Sequence, residues 1–222
     1  MSSRQEEKEQ RKRERLEREA AAQSAAKRKR LLALIGGVIA ACAIVAGVVF
    51  AVSRGGGGDD GVDDDKLTAA AKKAGCVYRS FPDYGREHSA EKLTAADFKT
   101  NPPTSGKHDP TPAPDGIYVP GNEPEIGNWV HTLEHGRILM QYKPGTPKDV
   151  VAKLTTFVNE DVAGSGGAYH SVLMQNNSKM TGQVAAVAWR HHMTCAEFTP
   201  QTLAAFRTFR ETLVDKAPEQ IP

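Results

Sequence analysis

The sequence predicts an α+β domain behind one N-terminal transmembrane helix: a loop-rich first part, then a β-α-β-β-α unit with a small, mainly antiparallel sheet. Three observations carry this expectation. Residues 31–52 hold no charged side chain. Residues 76–128 are rich in Pro, Gly, Asp and Asn and show little periodicity. From Arg137 onward, short apolar runs alternate with two stretches of helical spacing.

The 222-residue chain carries 29 Lys/Arg and 27 Asp/Glu, a net of +2, but that balance sums unlike segments. Residues 1–30 hold eleven Lys/Arg against six Asp/Glu, and the part after residue 52 holds eighteen against twenty-one. The mildly basic total therefore gives no ground for a nucleic-acid partner. The uncharged run LLALIGGVIAACAIVAGVVFAV has 22 residues. As a helix it spans about 33 Å, against a bilayer hydrocarbon core of about 30 Å. Ala51-Val52-Ser53 has the look of a small-residue cleavage site. The run nevertheless exceeds the roughly 7–15 apolar residues of a signal peptide, so a retained span is expected. Lys27-Arg28-Lys29-Arg30 abuts one side, and Arg54 with an acidic, Gly-rich stretch follows the other. The positive-inside rule then places residues 1–30 in the cytoplasm and the C-terminal part outside the cell membrane.

The elements follow in order. Residues 1–30 favour helix by composition, with Glu7–Arg11 and Glu9–Arg13 at ion-pair spacing, but Leu16 is their one large apolar residue after Met1. This tail serves as a topology signal or lies against anionic lipid of the bilayer. Residues 53–66, SRGGGGDDGVDDDK, read as a flexible, self-repelling linker, and residues 67–222 as the extracytoplasmic domain. Leu67 to Ala74 reads as a short helix ended by Gly75. Arg137–Tyr142, Ala168–Met174 and Val184–Trp189 read as strands. Pro147 opens a helix with Val150, Val151, Leu154, Phe157 and Val158 on one face. Thr199 caps a final helix striped by Leu203, Phe206, Phe209 and Leu213.

Cys42 falls in the apolar run, whereas Cys76 and Cys195 lie near the two ends of the outer domain. An oxidising exterior makes Cys76–Cys195 the expected disulfide; two free thiols, or a metal-binding Cys195, are the alternatives.

Two stretches carry chemistry: Asn101-Pro-Pro-Thr-Ser-Gly-Lys-His108 and Val130-His-Thr-Leu-Glu-His-Gly136, with Gly116-Ile-Tyr118 between them. With Ala188-Trp189 and the terminal Ala217-Pro218-Glu219, they resemble a bacterial family known as domain of unknown function 3105, over roughly Gly75 to Pro218. The family usually has Pro in place of Lys107 and often Asn in place of Thr132; neither change removes a candidate ligand. The resemblance implies a membrane-tethered or exported domain and supplies no activity.

The residues themselves suggest more. His131-Thr-Leu-Glu134-His135 fits H-x-x-E-H, in which two histidines one helical turn apart hold zinc and the glutamate activates water. Gly127-Asn128 before it and Gly136 after it argue against the long helix that signature needs. Metal binding without hydrolysis asks less: His108, His131 and His135 with Glu134 suffice for zinc or copper. His191-His192-Met193 would add softer donors and favour copper if it joined the same site. The competing expectation is that His88, His108 and His135 only bond loop carbonyls, with Glu134 capping a helix or pairing with Arg137. Three functions follow in order: an extracytoplasmic domain binding a metal ion or small ligand, a metal-dependent hydrolase, or an envelope interaction module meeting an envelope partner. No phosphate-cradling or dinucleotide-binding motif is present.

Overall fold

The computed structural model describes residues 61–162, 164, 169–219 and 221. The basic tail and the expected transmembrane helix over 31–52 lie outside the described residues. Among the described residues, no helix is long and apolar enough to cross a membrane.

The first helix, α1 (Asp64–Lys73), starts ahead of Leu67, inside the acidic run. Asp63 caps it by accepting from the Lys66 amide at 2.9 Å. Asp64 and Asp65 in its first turn and Lys72 and Lys73 in its last complement the helix dipole. Aspartates that repel one another in a free chain thus become a helix start. Gly75, at φ +70, then turns the chain into β1 (Cys76–Ser80).

The remaining elements are β2 (Gly116–Ile117), α2 (Ile126–Glu134), β3 (Ile138–Tyr142), α3 (Lys148–Val158), β4 (Ser171–Gln175), β5 (Val184–Ala188), β6 (His191–Cys195) and α4 (Pro200–Leu213). The strands form one six-stranded sheet in the order β1-β6-β5-β3-β4-β2. Pairings β1/β6, β5/β6 and β3/β5 are antiparallel, and β3/β4 and β2/β4 are parallel. The expected mixture of helix and sheet is present, but the sheet is larger than expected and has a parallel part, formed by the β3-α3-β4 crossover and by β2 alongside β4. Two elements depart from the reading of the sequence: β6 adds a strand after β5, and α2 forms where loop was expected.

The sheet's two faces follow from period-2 alternation. Ile138, Met140 and Tyr142 of β3 and Val184, Ala186 and Ala188 of β5 join a core with α1, α3 and α4, including Leu154, Phe157, Phe206 and Phe209. Leu139, Ala185 and Val187 point the other way, where Trp129, Val130 and Leu133 of α2 cover them. Residues 98–126 therefore wrap the polar side of a helix whose apolar side is spent on the sheet.

Adjacent His191 and His192 take opposite faces of β6, as strand geometry requires. His191 stacks on Tyr78 and shares a 2.7 Å hydrogen bond with its hydroxyl. His192 meets Phe81 edge-on and bonds the Pro102 carbonyl. Burial pushes its pKa down to about 4.

The expected disulfide is present: Cys76 and Cys195 are bonded and directly opposed in the β1/β6 register, 119 residues apart in sequence. Closing so long a loop stabilises by about 4–5 kcal/mol on the chain-entropy account. Replacing both cysteines by Ala should lower the melting temperature of the full-length chain by about 10 °C, measured by calorimetry; an unchanged value would contradict that account. A second expectation concerns acid. An unfolded His192 titrates near 6.5 and the folded one near 4. Between those values the unfolded chain binds the extra proton, so stability falls as pH drops through the window. His192→Gln should lose about 3 kcal/mol less than the parent between pH 6.5 and 4, in urea titrations at each pH.

Candidate metal centre

The polar side of α2 presents His131, Thr132 and Glu134, all buried. Thr132 donates to the Ala113 carbonyl at 2.8 Å and so holds the loop that covers the helix. Asn128 does the same for the Thr111 carbonyl at 2.7 Å. Gly127 lies in the first turn because the loop passes directly over it: a Cβ there would stand 3.0 Å from the Asp109 amide nitrogen. The glycine that argued against a helix is the residue that lets Asp109 approach one. The Asp109 carbonyl in turn accepts from His131 Nδ1 at 2.6 Å, which fixes that ring.

His108 arrives from the opposite side, on the Asn101–His108 stretch. Asn101 anchors that stretch to the sheet end, donating to the Ser178 carbonyl and accepting from its hydroxyl, each at 2.8 Å. Gly106 takes φ +127, and its carbonyl accepts from His108 Nδ1 at 2.7 Å. Residues 85–89 run beside it: Gly106 donates to Gly85, His108 to Glu87, and Ser89 back to His108. This short ladder brings His88 into a parallel bridge with His108. No motif marks His88, and sequence reading left it among the structural histidines.

His88, His108, His131 and Glu134 each offer a ligand atom, all within 4.8 Å of one another. Ring centroids of His88, His108 and His131 lie 4.8 or 4.9 Å apart pairwise. His108 and Glu134 are 0% and 1% exposed, while His88 forms the rim at 43%. His108 Nε2 lies 2.9 Å from Glu134 Oε2, hydrogen-bonding distance, yet the pair is not aligned as a hydrogen bond. The reason is chemical. With its proton on Nδ1, His108 presents a lone pair at Nε2, and the carboxylate oxygen opposite is another acceptor. Two ligands held about 2.0–2.1 Å from a tetrahedral zinc ion would be about 3.3–3.4 Å apart, so the pair would open by about 0.4 Å to take one.

Burial pushes the imidazoles of His108, His131 and His135 below the usual histidine range, towards the neutral, ligating form. It pushes the Glu134 carboxyl up, and the nearby Glu219 carboxylate adds to the effect.

His135, at the C-cap of α2, stands beside this group. Its Nε2 donates to His131 Nε2 at 2.9 Å, the His131 proton being on Nδ1, and lies 3.4 Å from Glu219 Oε2. His131, His135 and Glu219 make a second possible donor group. Glu219 returns from the C-terminus because its amide bonds the Glu134 carbonyl at 3.1 Å and Asp215 bonds Gly136 at 2.9 Å. Gly136 permits this: a Cβ there would sit 2.7 Å from Asp215 Cα. Ala217-Pro218-Glu219 carried the resemblance, but nothing in the sequence pointed to Glu219 as a donor.

The structure thus gathers His108, His131 and Glu134, with His135 adjoining through His131. Glu134 faces His108 rather than Arg137, which pairs with Asp115 at 3.4 Å and bonds the carbonyls of His135 and Ile221. The softer donors do not join: Met193 packs in the other core, and neither His191 nor His192 belongs to a donor group.

No curated protein and no solved structure matches the chain. A family model matches residues 89–221, a span that holds His108, His131, Glu134, His135 and Glu219 and begins one residue after His88. The chain belongs to the family described as protein of unknown function (DUF3105).

Proposed function

We propose that this is a single-pass, membrane-anchored protein whose extracytoplasmic domain binds a transition-metal ion, zinc or copper, at His88, His108, His131 and Glu134, with His135 alongside. One observation carries the metal reading. Glu134 Oε2 and His108 Nε2 are buried acceptors facing each other without a hydrogen bond. Uncompensated burial of such groups costs several kcal/mol, and a shared cation removes the cost. Three imidazoles and a carboxylate form a borderline-hard set that suits zinc or Cu(II), with no thiolate or thioether to select Cu(I). The address is supported by the uncharged run 31–52, the basic flank Lys27–Arg30, and a disulfide of the kind oxidising compartments sustain.

A metal-dependent hydrolase is the second reading, favoured by one specific contact. Glu219 beside His135 supplies the acidic third donor that H-x-x-E-H lacks by itself. Glu134 would then be the base. Its burial between His108 and His131 favours a ligand role instead.

The full-length chain, purified in detergent without an affinity tag, should hold about one zinc or copper ion, measured by mass spectrometry of metals. Added metal should raise its melting temperature, because binding to the folded state alone stabilises it. His108→Ala and Glu134→Gln should abolish uptake. No uptake and an unmoved melting temperature would sink both metal readings and leave the interaction module. Peptide hydrolysis lost in Glu134→Gln with metal retained would instead favour the hydrolase. For the address, an impermeant amine reagent on intact cells should modify lysines of the C-terminal domain and spare Lys8, Lys12, Lys27 and Lys29. Labelling of those four from outside would reverse the topology.

A further inference from the structure

The two donor groups meet at one atom. His131 Nδ1 is committed to the Asp109 carbonyl at 2.6 Å, so Nε2 carries its one lone pair, which otherwise accepts from His135 Nε2 at 2.9 Å. His131 belongs to both groups, His88/His108/His131/Glu134 and His131/His135/Glu219. A neutral imidazole with one lone pair ligates one ion at a time, so these are alternative positions for a single ion and not homes for two.

The positions differ in access and charge. The inner one is lined by His108 and Glu134, at 0% and 1% exposure, and the other ends at Glu219, whose side chain is 43% exposed. The inner group also reaches solvent past His88, but there Arg86 stands on the rim, its Nε 3.9 Å from Glu134 Oε1. That guanidinium, also paired with Asp83, sets a positive charge against the Glu134 carboxylate on this side. On the other side the exposed Glu219 carboxylate stands 3.4 Å from His135 Nε2, where it would meet an ion arriving from solvent. Its position is built by backbone: the Glu219 amide on the Glu134 carbonyl, and Asp215 on Gly136.

We infer that His135 and Glu219, together with His131, form an outer transit position through which a divalent ion enters and leaves the inner group. The domain then passes its ion on rather than keeping it. This rests on the inner group binding metal. An ion leaving the inner group through the outer one exchanges ligands singly, with His131 retained throughout, instead of breaking several bonds together.

The test is zinc transfer between the full-length chain and a chromophoric chelator, followed by stopped flow in both directions. Glu219→Gln removes the charge with little change in shape. Loading and release should both slow, each by about tenfold, equivalent to about 1.4 kcal/mol of barrier. Glu219→Asp, which keeps the charge, should recover part of both rates. Unchanged rates would overturn the inference, since exchange would then run past His88. Faster release with weaker binding would overturn it too, because Glu219 would be an ordinary ligand of one closed site. Two zinc ions per chain would refute the sharing of His131. A parent chain that takes up no zinc would defeat the metal reading itself, a result distinct from the other three.

Discussion

Glu134 puts a carboxylate where water scarcely reaches, on the last residue of a helix whose opposite side is fixed against a sheet. Its Oε2 faces the unprotonated nitrogen of His108, and no hydrogen bond relieves either atom. Much of the surrounding architecture serves to hold this pair in place. Trp129, Val130 and Leu133 fix the helix on Leu139, Ala185 and Val187. Carbonyls of Gly106 and Asp109 fix two imidazole tautomers by accepting from Nδ1. A carbonyl that accepts from one ring nitrogen orients the imidazole and decides which nitrogen is left free. A polar cluster left half-satisfied in the interior is a liability, and this one is a group that could hold a cation.

The division of labour across the sheet explains how so irregular a segment can be so well placed. One face carries three helices and most of the large apolar side chains. Among the described residues, the other carries α2 and loop. The loop supplies few large apolar side chains; its buried residues, 102–106 among them, are held by hydrogen bonds involving polar side chains such as Thr132, Asn128 and Asn101. The Pro- and Gly-rich composition of 76–128 thus describes a covering layer, ordered by the polar groups it satisfies.

Legibility in the sequence tracked where the determining forces are local. Pro147 and Pro200, followed by apolar stripes, announced α3 and α4, and the runs of β3, β4 and β5 announced themselves by hydrophobicity. β6 was silent because His191-His-Met-Thr-Cys195 has little apolar character; β5 on one side and β1 on the other define it. α2 was misjudged from Gly127 and Asn128, whose weak helix propensity is overridden by tertiary burial and loop bonding. At the candidate centre, His108, His131 and Glu134 stood out through motifs. His88 and Glu219 did not, since one depends on a backbone ladder between two loops and the other on the clearance that Gly136 gives to Asp215. Long-range placements of that sort leave no periodic trace.

The cross-link between β1 and β6 has a mechanical meaning as well as a thermodynamic one. Among the described strands β1 lies at the sheet edge with β6 as its one neighbour, and it comes first in chain order. Tension applied through the preceding chain would load α1 and β1 before anything else, and five residues of edge pairing would unzip under modest force. The Cys76–Cys195 bond sits at the leading end of that strand and shunts the load directly into the sheet interior. The strands beneath α2, and the histidines it carries, lie beyond that covalent clamp and would be shielded from such a pull.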